Sequence, residues 1–175
     1  MTPKETSSNI HLENTISVIK NTESKLFILA GCLSSSFTND SRYICELSNF
    51  IEKPNSSLEI LLSNYDEESA KRSSNLLKRL AYYLTTEYNE RITIKYVSRT
   101  ISFTEDEKKE PVYFLLNDDG GYCINNNYLS ETLRFTLTKS ILSEILLDTF
   151  NKLFQQADII DILTLFNANH DDTTK

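Results

Sequence analysis

Short apolar runs alternate along this chain with longer segments in which apolar residues recur every three or four positions. Leu26-Phe27-Ile28-Leu29-Ala30 is continuously apolar and predicts a strand buried on both faces. Leu58-Glu59-Ile60-Leu61-Leu62 predicts a second. Ile92 to Val97 alternates instead, with Ile92, Ile94 and Tyr96 on one face and Thr93, Lys95 and Val97 on the other. That pattern predicts a strand near the sheet edge with one wetter face. Val112 to Leu116 and Tyr122 to Ile124 flank Asn117-Asp118-Asp119-Gly120-Gly121, a dense turn signal that predicts an antiparallel hairpin.

The striped segments predict helices. Ile10, Leu12, Ile16 and Ile19 suit a short helix from about Ile10 to Lys20, ending near Asn21. Asn39, Asp40 and Ser41 can cap a helix striped by Tyr43, Ile44, Leu47, Phe50 and Ile51 and ended by Pro54 and Asn55. Asp66, Glu67 and Glu68 suit the positive end of a third helix. Its seam, Ala70, Ser73, Leu77, Leu80 and Leu84, reads as continuous. A last helix starts between Thr138 and Ile141 and carries Leu142, Leu146, Phe150, Leu153 and Ala157, with Ile145, Leu147 and Phe154 widening the stripe. Ile159, Ile162, Leu163 and Phe166 predict an extension or a further helical piece. So wide an apolar face suits burial in the domain or self-association.

Two strand–helix–strand passages imply right-handed crossovers and parallel pairing, and the hairpin then makes the sheet mixed. The expected architecture is one α/β domain over residues 1–175, a single-layer mixed sheet flanked by helices, with fraying ends at 1–8 and 168–175. A length of 175 residues can bury a substantial core without disulfides. The EDEKKE run from Glu105 to Glu110 is expected to be an exposed loop.

The formal charge of −7 disfavours unspecific binding to nucleic acid or anionic membranes. Cys32, Cys45 and Cys123 are odd in number and widely spaced, which suits a reducing compartment, and Cys32 and Cys123 read as small buried side chains. No segment has signal-peptide order, and no apolar run nears the roughly 20 residues of a membrane span. The expected location is cytoplasmic, with no membrane partner. The Asn, Ser, Lys and Ile richness matches the habit of AT-rich bacterial genomes.

DSRYICELSNFIEKPNSSLEILLSN, RITIKYV, PVYFLLNDDGGYCI and ILSEILLDTFNKLFQQAD, taken in order, resemble a phospholipase D-like domain between about Leu26 and Asp158. The resemblance implies a three-layer sandwich and, in active members, an HxKxxxxD signature at the hairpin. There the histidine attacks phosphorus, the lysine stabilises phosphate charge and the acidic residue supports the site. In PVYFLLNDDGGYCI the rough matches are Pro111 or Tyr113 for the nucleophile and Leu115 for the lysine. Neither Pro nor Leu can do those jobs, and Tyr113 would need strong activation. Tyr113, Asp118 and Asp119 are thus a candidate degenerate site, although turn formation explains the two aspartates more simply.

No GxxxxGK[ST] or GxGxxG loop is present, and the Cys and His spacing makes no credible zinc site. No metal or cofactor is expected. Ser34, Ser35 and Ser36 have no identifiable base. His11 and His170 are expected to sit exposed and incidental near flexible ends. Pockets of parallel sheets form beyond the strand C-termini. Here those ends offer Ser34, Ser35, Asn64, Tyr65, Ser98 and Arg99, with Arg99 able to meet an anion or to pair with a surface carboxylate.

Three functions follow as expectations. The leading one is a non-catalytic protein-interaction or regulatory domain, a homo-oligomer or the partner of another protein. The second is a divergent phosphodiesterase. The third is a nucleic-acid-associated regulator or defence component using Lys71, Arg72, Lys78 and Arg79 as a local basic patch.

Overall fold

A computed structural model of the chain describes residues 3–31, 33–63, 65–98, 111–125 and 134–167. The element order is α1 (Pro3–Lys20), β1 (Lys25–Ala30), α2 (Ser41–Glu52), β2 (Ser57–Leu62), α3 (Glu67–Ser73), α4 (Asn75–Leu84), a 3-10 turn (Asn89–Arg91), β3 (Ile92–Tyr96), β4 (Tyr113–Asn117), β5 (Tyr122–Asn125), β6 (Phe135–Thr136), α5 (Ile141–Gln156), β7 (Asp158–Ile159) and α6 (Ile162–Asn167). Among the described residues these strands form one mixed sheet in the order β6-β5-β4-β1-β2-β3-β7. β1, β2 and β3 are parallel, and β4 runs antiparallel to β1 with Leu29 opposite Phe114. The expected α/β architecture, a mixed sheet flanked by helices, is therefore present.

Alternation along the central strands divides the core. Leu26, Ile28, Leu58, Ile60, Ile92 and Ile94 face the side on which α1, α2 and α4 pack through Ile16, Leu47, Leu80 and their neighbours. Phe27, Leu29, Leu61, Phe114 and Leu116 face the other side, where Leu146, Phe150 and Leu153 of α5 meet them. Burial on both faces explains why β1 reads as an unbroken apolar run. β3 keeps the expected wetter face, since Thr93 and Lys95 are half-buried. Lys95 covers the Phe154 ring at 4.6 Å and donates to the Phe154 carbonyl.

Three expectations change. α1 starts at Pro3, seven residues before Ile10. The long third helix is two helices, because Ser74 leaves helical geometry and its hydroxyl accepts from the amide of Leu77, starting α4 afresh. After α5 the chain makes a two-residue strand, β7, on the edge of β3 before α6, so Ile159 projects into solvent instead of extending a helix seam.

The hairpin forms as expected. Its turn needs a glycine at 120, where φ is +84° and a Cβ would lie 2.8 Å from the Lys139 Cα. Asn117 is buried and its carbonyl side-chain oxygen accepts from the Gly121 amide, which locks the turn from inside.

Candidate functional site

β1 and β4 run in opposite directions, so the end of β1 lies beside the start of β4. A cavity of about 330 Å³ opens there. Its floor comes from Ile28, Leu29 and Ala30 of β1 and from Leu115 of β4. Phe37 and Tyr43 wall it from the β1–α2 loop and from α2. α1 contributes His11 and Thr15, one turn apart on one helix face. Cys123 and Asn125 enter from β5. The position obeys the rule that α/β sheets bind ligands beyond the strand ends, where neighbouring connections diverge.

Two tethers hold the loop that forms one wall. The Ser74 hydroxyl donates to the Leu33 carbonyl at 2.7 Å, across 41 positions of sequence. The Asn39 side chain bridges the helix break, donating to the Ser73 carbonyl at 2.6 Å and accepting from the Asn75 amide at 2.8 Å. Inside the loop, the Ser35 hydroxyl accepts from the Thr38 amide at 3.2 Å. Gly31 lets the loop leave β1 closely: a Cβ there would lie 3.1 Å from the Tyr113 hydroxyl.

The described lining is electrically quiet: none of its side chains is Lys, Arg, Asp or Glu. His11 lies half-buried, not exposed on a fraying end as the sequence suggested. The helix carrying it packs against α2, β4 and β5. Its Nδ1 is 3.3 Å from the Cys123 Sγ, and its ring tilts against Phe37 at 5.0 Å between centroids. Burial pushes the imidazole pKa down, and the positive charge of Arg134 adds to the shift. Burial pushes the Cys123 thiol up to about 11. The pair is therefore a neutral imidazole beside a neutral thiol, not a thiolate–imidazolium couple.

The depressed histidine gives a pH expectation. Between the folded and unfolded pKa values the unfolded chain binds more protons at this site. Its contribution is present above the ordinary imidazole range of about 6.5 and is lost as pH falls through the folded value. Urea unfolding at pH 7.5 and pH 5 is expected to show a smaller loss of stability for His11→Phe than for the unsubstituted chain. An equal loss in both would place the ring in water.

The residues expected to share a pocket are divided. Ser34 and Ser35 line this cavity. Tyr65 lies in a separate open groove with Tyr96, the two rings 6.1 Å apart. Ser98 is exposed and lines neither space, while Asn64 and Arg99 lie outside the described residues. The degenerate site also separates. Tyr113 lines the cavity, but Asp118 sits beyond the far end of β4, five residues and roughly 16 Å along the strand direction. There it accepts from the Ser24 hydroxyl, and Asp119 is an exposed turn residue.

Cys123 is buried as expected and Cys45 is exposed, while Cys32, His170 and the Glu105–Glu110 run lie outside the described residues. Of the basic patch, Lys71 pairs with Glu67 and Arg72 with Glu68, one turn earlier on α3. Arg79 lies over the Tyr82 and Tyr83 rings and bonds Ser48. Among the described residues no group of three or more His, Cys, Asp or Glu is placed to hold a metal ion, and no helix is long and apolar enough to cross a membrane.

Sequence reasoning missed His11, Thr15, Phe37 and Cys123 as partners. The spacing of His11 and Thr15 put both on one helix face, which was a usable signal. Nothing local pointed from His11 to Cys123, 112 positions away. No protein-family model and no curated protein sequence matches the chain.

Proposed function

We propose that this chain is a non-catalytic regulatory domain that works by binding a small, mainly apolar molecule in the cavity at the end of β1. The observation carrying this reading is a sizeable space whose described walls are apolar and aromatic side chains, with a few neutral hydrogen-bonding groups and no charged one among the described residues. Ligand sites typically combine these features. Catalysis is disfavoured because burial keeps the Cys123 thiol protonated, and because Tyr113 has neither a lysine nor an aspartate beside it among the described lining residues. A phosphodiester entering here would meet no cation among the described lining residues.

The architecture fits a phospholipase D-like sandwich without its HxKxxxxD signature. Helix layers on both faces of a mixed sheet, and a hairpin beside β1, support that family reading. The divergent phosphodiesterase is the weaker alternative on the same fold. A nucleic-acid role is weaker still, since Lys71, Arg72 and Arg79 are each engaged by neighbours.

Thermal unfolding against a library of neutral fragments tests the main reading. A ligand at one hundred times its Kd is expected to stabilise the fold by about 2.7 kcal/mol. Gly31→Val, which forces the Tyr113 hydroxyl to move, is expected to remove that stabilisation. A library without a single stabilising fragment, or one whose hits ignore Gly31→Val, would sink the reading.

One observation favours a second role, self-association through α5. Ile141 and Ile145 stand one turn apart on its outer face at 80% and 51% exposure. Light scattering after size exclusion is expected to show a dimer that Ile145→Glu converts to monomer. A strict monomer across a hundredfold range of concentration would remove self-association and leave the ligand reading intact.

A further inference from the structure

The aromatic rings around the cavity form a connected row. His11 meets Phe37 at 5.0 Å, and Phe37 meets Tyr43 at 5.3 Å. Tyr113 lines the same space from β4. A flat ring entering here finds tilted faces and edges to pack against, an arrangement aromatic groups favour over random contact. The size also bears on the ligand. A dry apolar cavity of about 150 Å³ accepts benzene. The 330 Å³ here leaves room for two fused rings.

The polar groups narrow the chemistry further. A charged ligand would leave water without a counter-charge among the described lining side chains. Arg134 acts on the His11 ring electrostatically but is not among the lining side chains. The thiol of Cys123 keeps its proton and has two acceptors in reach, the His11 Nδ1 at 3.3 Å and the His11 carbonyl at 3.9 Å. With Nδ1 as the acceptor, the one proton of the neutral imidazole sits on Nε2, and the ring becomes a hydrogen-bond donor toward a ligand. Among the described residues no other side chain bonds the ring.

We propose that the cavity selects a neutral bicyclic aromatic compound bearing a hydrogen-bond acceptor, which stacks along the Phe37–Tyr43 row and accepts from the Nε2 of His11. The proposal rests on the reading of this cavity as a ligand site and names the ligand class. Cys123 is then a positioning residue, holding the donor tautomer of the histidine.

Calorimetric titration of the full chain at pH 7.5 with quinoline, naphthalene, 2-naphthoate and 1-decanol separates the possibilities. Quinoline is expected to bind at least tenfold more tightly than naphthalene, which has its shape without the acceptor. It is expected to bind at least tenfold more tightly than 2-naphthoate, which carries a charge. His11→Phe, which keeps a ring and loses the donor, is expected to make quinoline and naphthalene equal. Should that variant fail to fold, nitrogen-15 shifts of the unsubstituted His11 imidazole give the same answer, with Nε2 moving on quinoline addition and not on naphthalene addition. Tightest binding by decanol or 2-naphthoate would overturn the ligand class while leaving a ligand site. An unmoved Nε2, or a quinoline preference that survives His11→Phe, would overturn the anchor. Absence of binding by all four compounds would overturn the ligand site itself.

Discussion

Phe150→Ala is expected to destabilise the chain by about 3–5 kcal/mol, the usual range for emptying a buried phenylalanine site. Phe150 is fully buried and lies at the centre of the contact between α5 and the sheet. Its ring meets Phe27 edge-on at 5.4 Å, Phe114 at 6.5 Å and Phe154 in a stack at 5.2 Å. Phe27 and Phe114 belong to neighbouring antiparallel strands, so one side chain clamps both to one helix. Among the described residues α5 is the helix covering that face of the central strands, so little else can close the gap. Urea unfolding monitored by circular dichroism reads the effect as a lower midpoint at unchanged slope. A loss below about 1 kcal/mol would mean that α5 is not docked through this residue.

The second large effect is expected at Ser74. Ser74→Ala removes the cap of α4, worth about 1 kcal/mol. It also leaves the buried Leu33 carbonyl without its donor, which costs a further 1–3 kcal/mol or so. The neighbouring exposed Ser73→Ala, which loses neither contact, is expected to stay within about 0.5 kcal/mol. Because Leu33 begins the loop that walls the cavity, Ser74→Ala is also expected to raise hydrogen exchange at Phe37 and Thr38 and to weaken ligand binding. Equal melting temperatures for the two variants would show that the hydroxyl does not tether the loop.

The five longer strands were legible because each shows a dense apolar run or, in β3, a clear alternation. β6 and β7 were not, since two residues are too short to show any period. The split between α3 and α4 was hidden by its own packing: Ala70, Leu77 and Leu80 all reach one core, so the seam looks continuous across the break. Only the Ser73-Ser74-Asn75 run hinted at a new cap. The start of α1 escaped notice because its first two turns carry no apolar stripe before Ile10.

The site was legible only in part. Topology points to the strand ends, because a strand end is a property of order along the chain, and Ser34 and Ser35 do line the cavity at the end of β1. It also grouped Tyr65 and Ser98 with them, since all three parallel strands end on that side. Antiparallel β4 beside β1 decides otherwise: it moves the cavity to the β1–β4 boundary and brings in α1 and β5. His11 reads as incidental from its nearness to a terminus, which by itself does not make a residue loose. Its burial is set by α2, β4 and β5, none of which is near it in sequence. The candidate degenerate site is divided for a related reason. Tyr113 and Asp118 are close in the chain, but an extended strand carries them to opposite ends of the sheet.

X-ray diffraction from crystals under xenon pressure tests most directly whether the space at the end of β1 is an open apolar site. Xenon density between Phe37, Leu115 and His11, lost in Gly31→Val crystals, is the expected result. A xenon-free cavity in crystals that take up the gas elsewhere, or side chains collapsed across the gap, would contradict the ligand-binding function proposed for this domain.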